Sequence, residues 1–184
     1  MRHATGRVSK EQWLNAALEL LASEGVSSVR VDKLSKSLSI SRSGFYWHFA
    51  DRSALLNEMK EYWQREFTEK FVATSNGNRG SPAERLRDLS RSIRVFGANR
   101  FDLAFWSWAQ TDVSVQDAVE RVKDTRSKYV RNLFRELGFQ GADLDARERI
   151  FVVYHSWGSL MYEVVAEGAD AAATDRILEI LAGR

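Results

Sequence analysis

The chain has 184 residues, 44% of them hydrophobic and 28% charged, a balance that excludes a globally disordered polymer. It holds no cysteine, which excludes disulfides and thiolate chemistry, and a single proline, which permits long uninterrupted helices. The formal net charge of +2 is unevenly spread: residues 1–52 carry 8 Lys/Arg against 5 Asp/Glu and residues 53–184 carry 19 against 20, so a polyanion would meet the N-terminal quarter.

In chain order, Met1 to Arg7 is charged without an apolar core and does not read as a signal peptide. No apolar run reaches the ~20 residues needed to cross a bilayer, so a cytoplasmic protein without membrane contact is expected. Arg2, His3 and Arg7 form a short basic arm, more simply a frayed terminus than a groove contact. From Ser9 onward the chain reads as helix almost throughout, with no period-2 pattern. Ser9 with Gln12 is a capping box, and Ser81-Pro82-Ala83-Glu84 combines a capping box with proline at the first helical position. Ser114 with Asp117 and Asp145 with Glu148 repeat the spacing. Gly25, Gly97, Gly138 and Gly168 are placed to stop helices. These signals predict an all-α chain of about nine helices, near 9–24, 31–38, 42–48, 51–74, 82–97, 101–111, 115–137, 145–167 and 171–182. Thr74 to Ser81, rich in Ser, Asn and Gly, is expected to be the least ordered internal stretch.

The first three helices predict a helix-turn-helix domain over residues 1–50. Trp13, Ala17, Leu20 and Leu21 share one face of the first helix, and Val31, Leu34 and Leu38 one face of the second. After a turn at Ser39-Ile40-Ser41, the third turns Phe45 and Phe49 inward and leaves Arg42, Ser43, Tyr46 and Trp47 outside, because adjacent helical residues point about 100° apart. Arg42 suits bidentate contact with guanine in a major groove, and Ser43 permits close approach. Tyr46 and His48 offer polar tips to phosphates, as do Lys36 and Arg52 with their charge. From these residues alone the alternative remains open: a helical small-molecule-binding protein or enzyme without DNA binding.

The stretch EGVSSVRVDKLSKSLSISRSGFYWHFADRSALLNEM, ending at Met59, resembles the signature of the TetR (tetracycline-repressor) family. The most specific part is F-Y-W-H-F followed by A-D-R-S-A-L-L, Phe45 to Leu56. The length and the helix layout resemble that family over the whole chain. The resemblance implies base contacts from Arg42, Ser43 and Trp47 and phosphate contacts from Tyr46, His48 and Arg52. Gly44 stands where many relatives carry a hydroxyl, and Ser39 replaces the usual turn glycine, which implies a slightly strained turn. Val31 stands where a Thr or Ser often caps the second helix, which leaves its cap open, with Ser28 as one alternative.

Residues 51–184 are expected to form a regulatory domain, with helix 51–74 as a rigid link through Leu55, Met59, Trp63, Phe67 and Phe71. Trp63, Phe67, Phe105, Trp108, Asp112, Tyr154, Trp157 and Tyr162 are the candidate lining of a pocket for an aromatic or amphipathic small molecule, cations included. His155 is read as a hydrogen-bonded core residue, and no metal site is expected. Residues 145–167 are apolar on two faces: Ile150, Val153, Trp157, Leu160 and Val164 form one, and Phe151, Tyr154, Gly158, Met161 and Val165 the other. Phe151, Gly158, Met161 and Val165, with Ile177 and Leu181, are the candidate homodimer interface. No Gly-rich phosphate loop, H-E-x-x-H or nucleophile elbow is present, so no catalytic site and no cofactor beyond a small-molecule effector are expected. The reading is a dimeric repressor of palindromic operator DNA, released by an effector of unknown identity.

Overall fold

A computed structural model describes residues 8–161 and 167–183; the side chains of 158–161 and 167–170, like residues 1–7, 162–166 and 184, lie outside the description. Among the described residues there are nine α-helices and no strand. They are α1 (Lys10–Glu24), α2 (Val31–Ser37), α3 (Arg52–Gln64), α4 (Lys70–Gly77), α5 (Pro82–Phe96), α6 (Ala98–Ala109), α7 (Val113–Glu136), α8 (Gly141–Met161) and α9 (Glu167–Ala182).

The caps explain most boundaries. Ser9 and Ser81 each close a reciprocal box, with Gln12 and with Glu84. Gly97 takes the left-handed conformation between α5 and α6, at φ 56° and ψ 35°, where a side chain would be strained. The Ser114–Asp117 box does not form: Asp112 caps α7 by accepting from the Ser114 backbone N–H, so the helix opens two residues early. Asp145 does not cap either. It lies one turn inside α8 and faces Arg131 at 2.6 Å. Gly168 is the second described residue of α9. Ser28 does not cap α2; Arg30 holds the cap position with no side-chain bond, and the Ser28 hydroxyl accepts from Lys33.

Two other expectations are corrected. The link after residue 51 is not one regular helix. Arg65–Glu69 forms a π turn between α3 and α4, and Arg126 supports it by donating to the Phe67 carbonyl and the Thr68 hydroxyl. The stretch after Thr74 is also better anchored than its composition suggests. α4 runs to Gly77, and Ser75 is buried under the Tyr129 hydroxyl at 2.5 Å.

Two apolar clusters carry the fold, and they do not part at residue 50. The first joins Trp13, Leu18 and Leu21 of α1, Leu34 of α2, and Phe45 and Phe49 to Leu55, Met59 and Trp63 of α3. It continues into Phe101, Phe105 and Trp108 of α6 and Val115 and Val122 of α7. The second gathers Leu86 and Leu89 of α5, Val130, Leu133 and Phe134 of α7, Phe151 of α8, and Leu178 and Leu181 of α9. α6 therefore packs directly on α1, and its exposed edge adds an Arg100–Glu19 ion pair at 2.5 Å.

Candidate nucleic-acid interface and apolar cleft

Arg42–Trp47 is a 3₁₀ segment, not the α-helix expected over 42–48. Gly44 lowers helix propensity at its centre, and the Ser41 hydroxyl bonds the Ser43 hydroxyl at 2.8 Å instead of capping. The bonds are short-range: Gly44 N–H donates to Ser41 O and His48 N–H to Phe45 O. The outward set survives the tighter winding. Phe45 and Phe49 are buried with ring centroids 5.2 Å apart, whereas Tyr46 is 62% and Trp47 73% exposed, and Arg42 and Ser43 are exposed beside them. Tyr46 touches Phe45 edge-on at 5.3 Å while most of its surface stays open to solvent. The preceding turn is strained as anticipated, with Ser39 at φ 55°.

The cations here differ in their partners. Lys10 pairs with Glu58 and Lys33 with Glu24. Lys36 and Arg42 are exposed and, among the described residues, have no acidic partner, which leaves their charge available to a polyanion. His48 and Arg52 have structural tasks that the sequence did not reveal. His48 Nε2 lies 2.9 Å from the Val8 carbonyl, tying the segment before α1 to the Arg42–Trp47 turn. Arg52 donates from Nε to Val29 O and from Nη2 to Val26 O, each at 2.7 Å, and so clamps the α1–α2 connection onto α3. Arg2, His3 and Arg7 lie outside the described residues.

A partly enclosed cleft of about 500 Å³, counting its mouth, opens where α4 to α8 meet. Phe67, Phe71, Leu89, Ile93, Val130 and Phe151 supply most of its wall. Of the described residues expected to line a pocket, Phe67 alone lines this cleft. Trp63 is buried behind it, stacked on Phe105 at 4.2 Å, and Trp108 is buried against Phe105. Asp112 caps α7 elsewhere, its carboxyl held below the usual aspartate range by the Ser114 hydroxyl. Tyr154 bonds Thr174 at 2.8 Å, and Trp157 meets Trp106 edge-on at 5.0 Å. Tyr162 lies outside the described residues.

The polar floor of the cleft is an ion pair that sequence reasoning missed. Arg126 of α7 grips Asp102 of α6 with two nitrogens, Nη1 to Oδ2 at 2.5 Å and Nη2 to Oδ1 at 3.1 Å. Asp102 Oδ1 also accepts the indole N–H of Trp63 at 3.0 Å. Neither charged residue carries a local signal. Each sits on an amphipathic helix among other charges, and only the crossing of α6 with α7 distinguishes them. His155, read as a bonded core residue, lines the cleft; its ring nitrogens lie 2.8 Å from Phe151 O and 2.7 Å from Ser90 Oγ.

The expected dimer residues are also redistributed. Phe151 and Leu181 are buried in the second cluster of their own chain, and Ile177 is half-buried against it, so they are not a free face. The helical period alone cannot say which of two apolar faces is turned inward. Among the described residues, the large apolar side chains exposed on these two helices are Ile150 and Val153 of α8 and Ile180 of α9. Val165 lies outside the described residues, as do contacts of Gly158 and Met161.

Residues 14–59 match the family model of bacterial regulatory proteins, tetR family. The chain is 30% identical over 81 residues to the HTH-type transcriptional regulator AcrR of Shigella flexneri, a match covering 44% of this chain and 38% of that protein. It is 35% identical over 60 residues to the class G tetracycline repressor protein of Vibrio anguillarum, covering 33% and 29%. The chain thus matches well under half of the length of these curated relatives. Whole-chain likeness lies in the fold. A TetR-family transcriptional regulator from Streptomyces coelicolor superposes with a TM-score of 0.71 at 17% identity, over 95% of this chain and 89% of that one. FadR from Bacillus subtilis, solved in complex with stearoyl-CoA, superposes at 0.66 and 15% identity, over 95% and 98%. Residues 14–59 thus carry the segment described for bacterial regulatory proteins of the tetR family, and the chain as a whole shares the fold of these solved structures.

Proposed function

We propose that the protein is a ligand-responsive transcriptional repressor that binds palindromic operator DNA as a homodimer and leaves it when a small molecule fills the cleft. The observation that carries the reading is the exposed Arg42-Ser43 and Tyr46-Trp47 surface on a turn anchored by buried Phe45 and Phe49. Polar and aromatic groups of that kind can reach base edges and phosphates together. The curated relatives, by name transcriptional regulators and repressors, support it.

A second copy would cover Ile150, Val153 and Ile180. Arg147 donates to the carbonyls of Ile180 and Leu181, which brings the end of α9 beside the turn that precedes Ile150. A two-fold pair then sets two readers against two half-sites. Because α6 shares an apolar core with α1, a ligand that displaces α6 changes the placement of the reader.

The test is selection of bound duplexes from a random pool, followed by gel-shift titration of the recovered site at several salt concentrations. The reading requires an inverted repeat and binding that weakens steeply with salt. Indifference to duplex DNA at low ionic strength would exclude it and favour a carrier that only binds small molecules.

A further inference from the structure

Resting on the reading of the cleft as the effector site, we infer that its effector is uncharged and mainly apolar, carrying at most one hydroxyl or carbonyl, and that organic cations and carboxylates are excluded. The charges are already matched inside the wall. Arg126 uses four N–H groups: Nε to Thr68 Oγ1, Nη1 to Asp102 Oδ2, and Nη2 to both Asp102 Oδ1 and the Phe67 carbonyl. Asp102 in turn holds Arg126 and the Trp63 indole. The guanidinium also lies 5.9 Å from the Trp63 ring. An aromatic face beside a carboxylate is the usual receptor for a cation, and here the chain's own arginine occupies it.

A ligand carboxylate would have to displace Asp102, leaving that carboxylate and the Trp63 N–H without partners. A ligand ammonium would have to displace Arg126, uncapping Thr68 and Phe67. Either exchange leaves an uncompensated charge in a wall of carbon, which is strongly unfavourable. Tyr129 is engaged with Ser75, and both nitrogens of His155 are engaged. Ser156 is the lining hydroxyl with no hydrogen-bond partner among the described residues, and it can meet one neutral polar group.

The experiment is calorimetric titration of the full chain with three eight-carbon probes: 1-octanol, octanoate and octylammonium. The expected result is saturable binding of 1-octanol, with both ions weaker by on the order of tenfold or more. Asp102→Asn should selectively improve octanoate, because Arg126 loses its counter-ion. Arg126→Met should selectively improve octylammonium. A cleft that had merely loosened would shift all three probes together. Tighter binding of either ion by the unaltered chain, or binding of none of the three, overturns the inference. The same titrations with duplex present separate it from the effector reading. If 1-octanol binds selectively but the protein stays on DNA, the ligand class stands and the effector role fails.

Discussion

The indole N–H of Trp63 on α3 donates to Asp102 on α6 at 3.0 Å, although 39 residues separate them. Through Asp102 the helix that follows the Arg42–Trp47 segment is fastened to the wall of the cleft, since the same carboxylate holds Arg126 on α7. Asp102→Ala strands the guanidinium and should destabilise the fold by about 3 kcal/mol. Trp63→Phe keeps the stack on Phe105 and removes only the N–H, so its cost should be nearer ~1.5 kcal/mol. Urea unfolding of the two variants measures both, and equal costs would show that the ion pair is not the larger element.

Tyr46 and Trp47 are exposed enough to change without penalty to the fold. Tyr46→Phe and Trp47→Ala should leave stability within ~0.5 kcal/mol while weakening DNA binding. Arg42→Ala should instead reduce discrimination between operator and scrambled duplex, by about 1–3 kcal/mol. Arg52→Ala is expected to behave differently from a simple phosphate contact. Losing the clamp on Val26 and Val29 should lower thermal stability as well as binding. Thermal unfolding beside gel-shift titrations separates these cases; an Arg52→Ala protein of full stability would mean that the clamp does not matter.

Ser39 holds φ at 55°, where glycine is unstrained. Ser39→Gly should therefore stabilise the protein by up to about 1 kcal/mol, the left-handed strain being partly offset by the greater chain entropy of glycine. A fall in the denaturation midpoint would contradict this account of the turn.

Asp112 caps α7, and its carboxyl is held below the ordinary value of 3.8 by the Ser114 hydroxyl and backbone N–H. The folded state binds this proton less tightly than the unfolded chain. The cap's contribution is thus complete above the ordinary aspartate value and is lost as pH falls through the lower, folded value. Asp112→Ala should cost about 1 kcal/mol at neutral pH. Relative to Asp112→Asn, the native residue should lose its advantage on acidification, as stability curves from pH 7 to pH 3 would reveal.

Ile150 and Val153 are exposed on α8, and the proposed pairing of two copies depends on them. Ile150→Glu with Val153→Glu should convert the dimer to monomer in sedimentation experiments while the fold persists. By contrast, Phe151→Ala opens a cavity in the chain's own second cluster and should cost about 3–5 kcal/mol of stability. An unchanged sedimentation coefficient for the double variant would remove α8 from the interface.

By itself the sequence determined the all-helical layout, the capping boxes at Ser9 and Ser81, the strain at Ser39 and the outward set Arg42, Ser43, Tyr46 and Trp47. These rest on interactions within a few residues and on the angle between neighbouring side chains, which a linear reading contains. Tertiary structure alone decided that Asp102 and Arg126, rather than Asp112 and the tryptophans, furnish the cleft. It also decided that Phe151 faces inward while Ile150 and Val153 face out, and that Arg52 is a clamp. The helical period says that a stripe is buried but not what lies across from it. That depends on how helices far apart in the chain cross, and on which charges are thereby forced to find each other away from water.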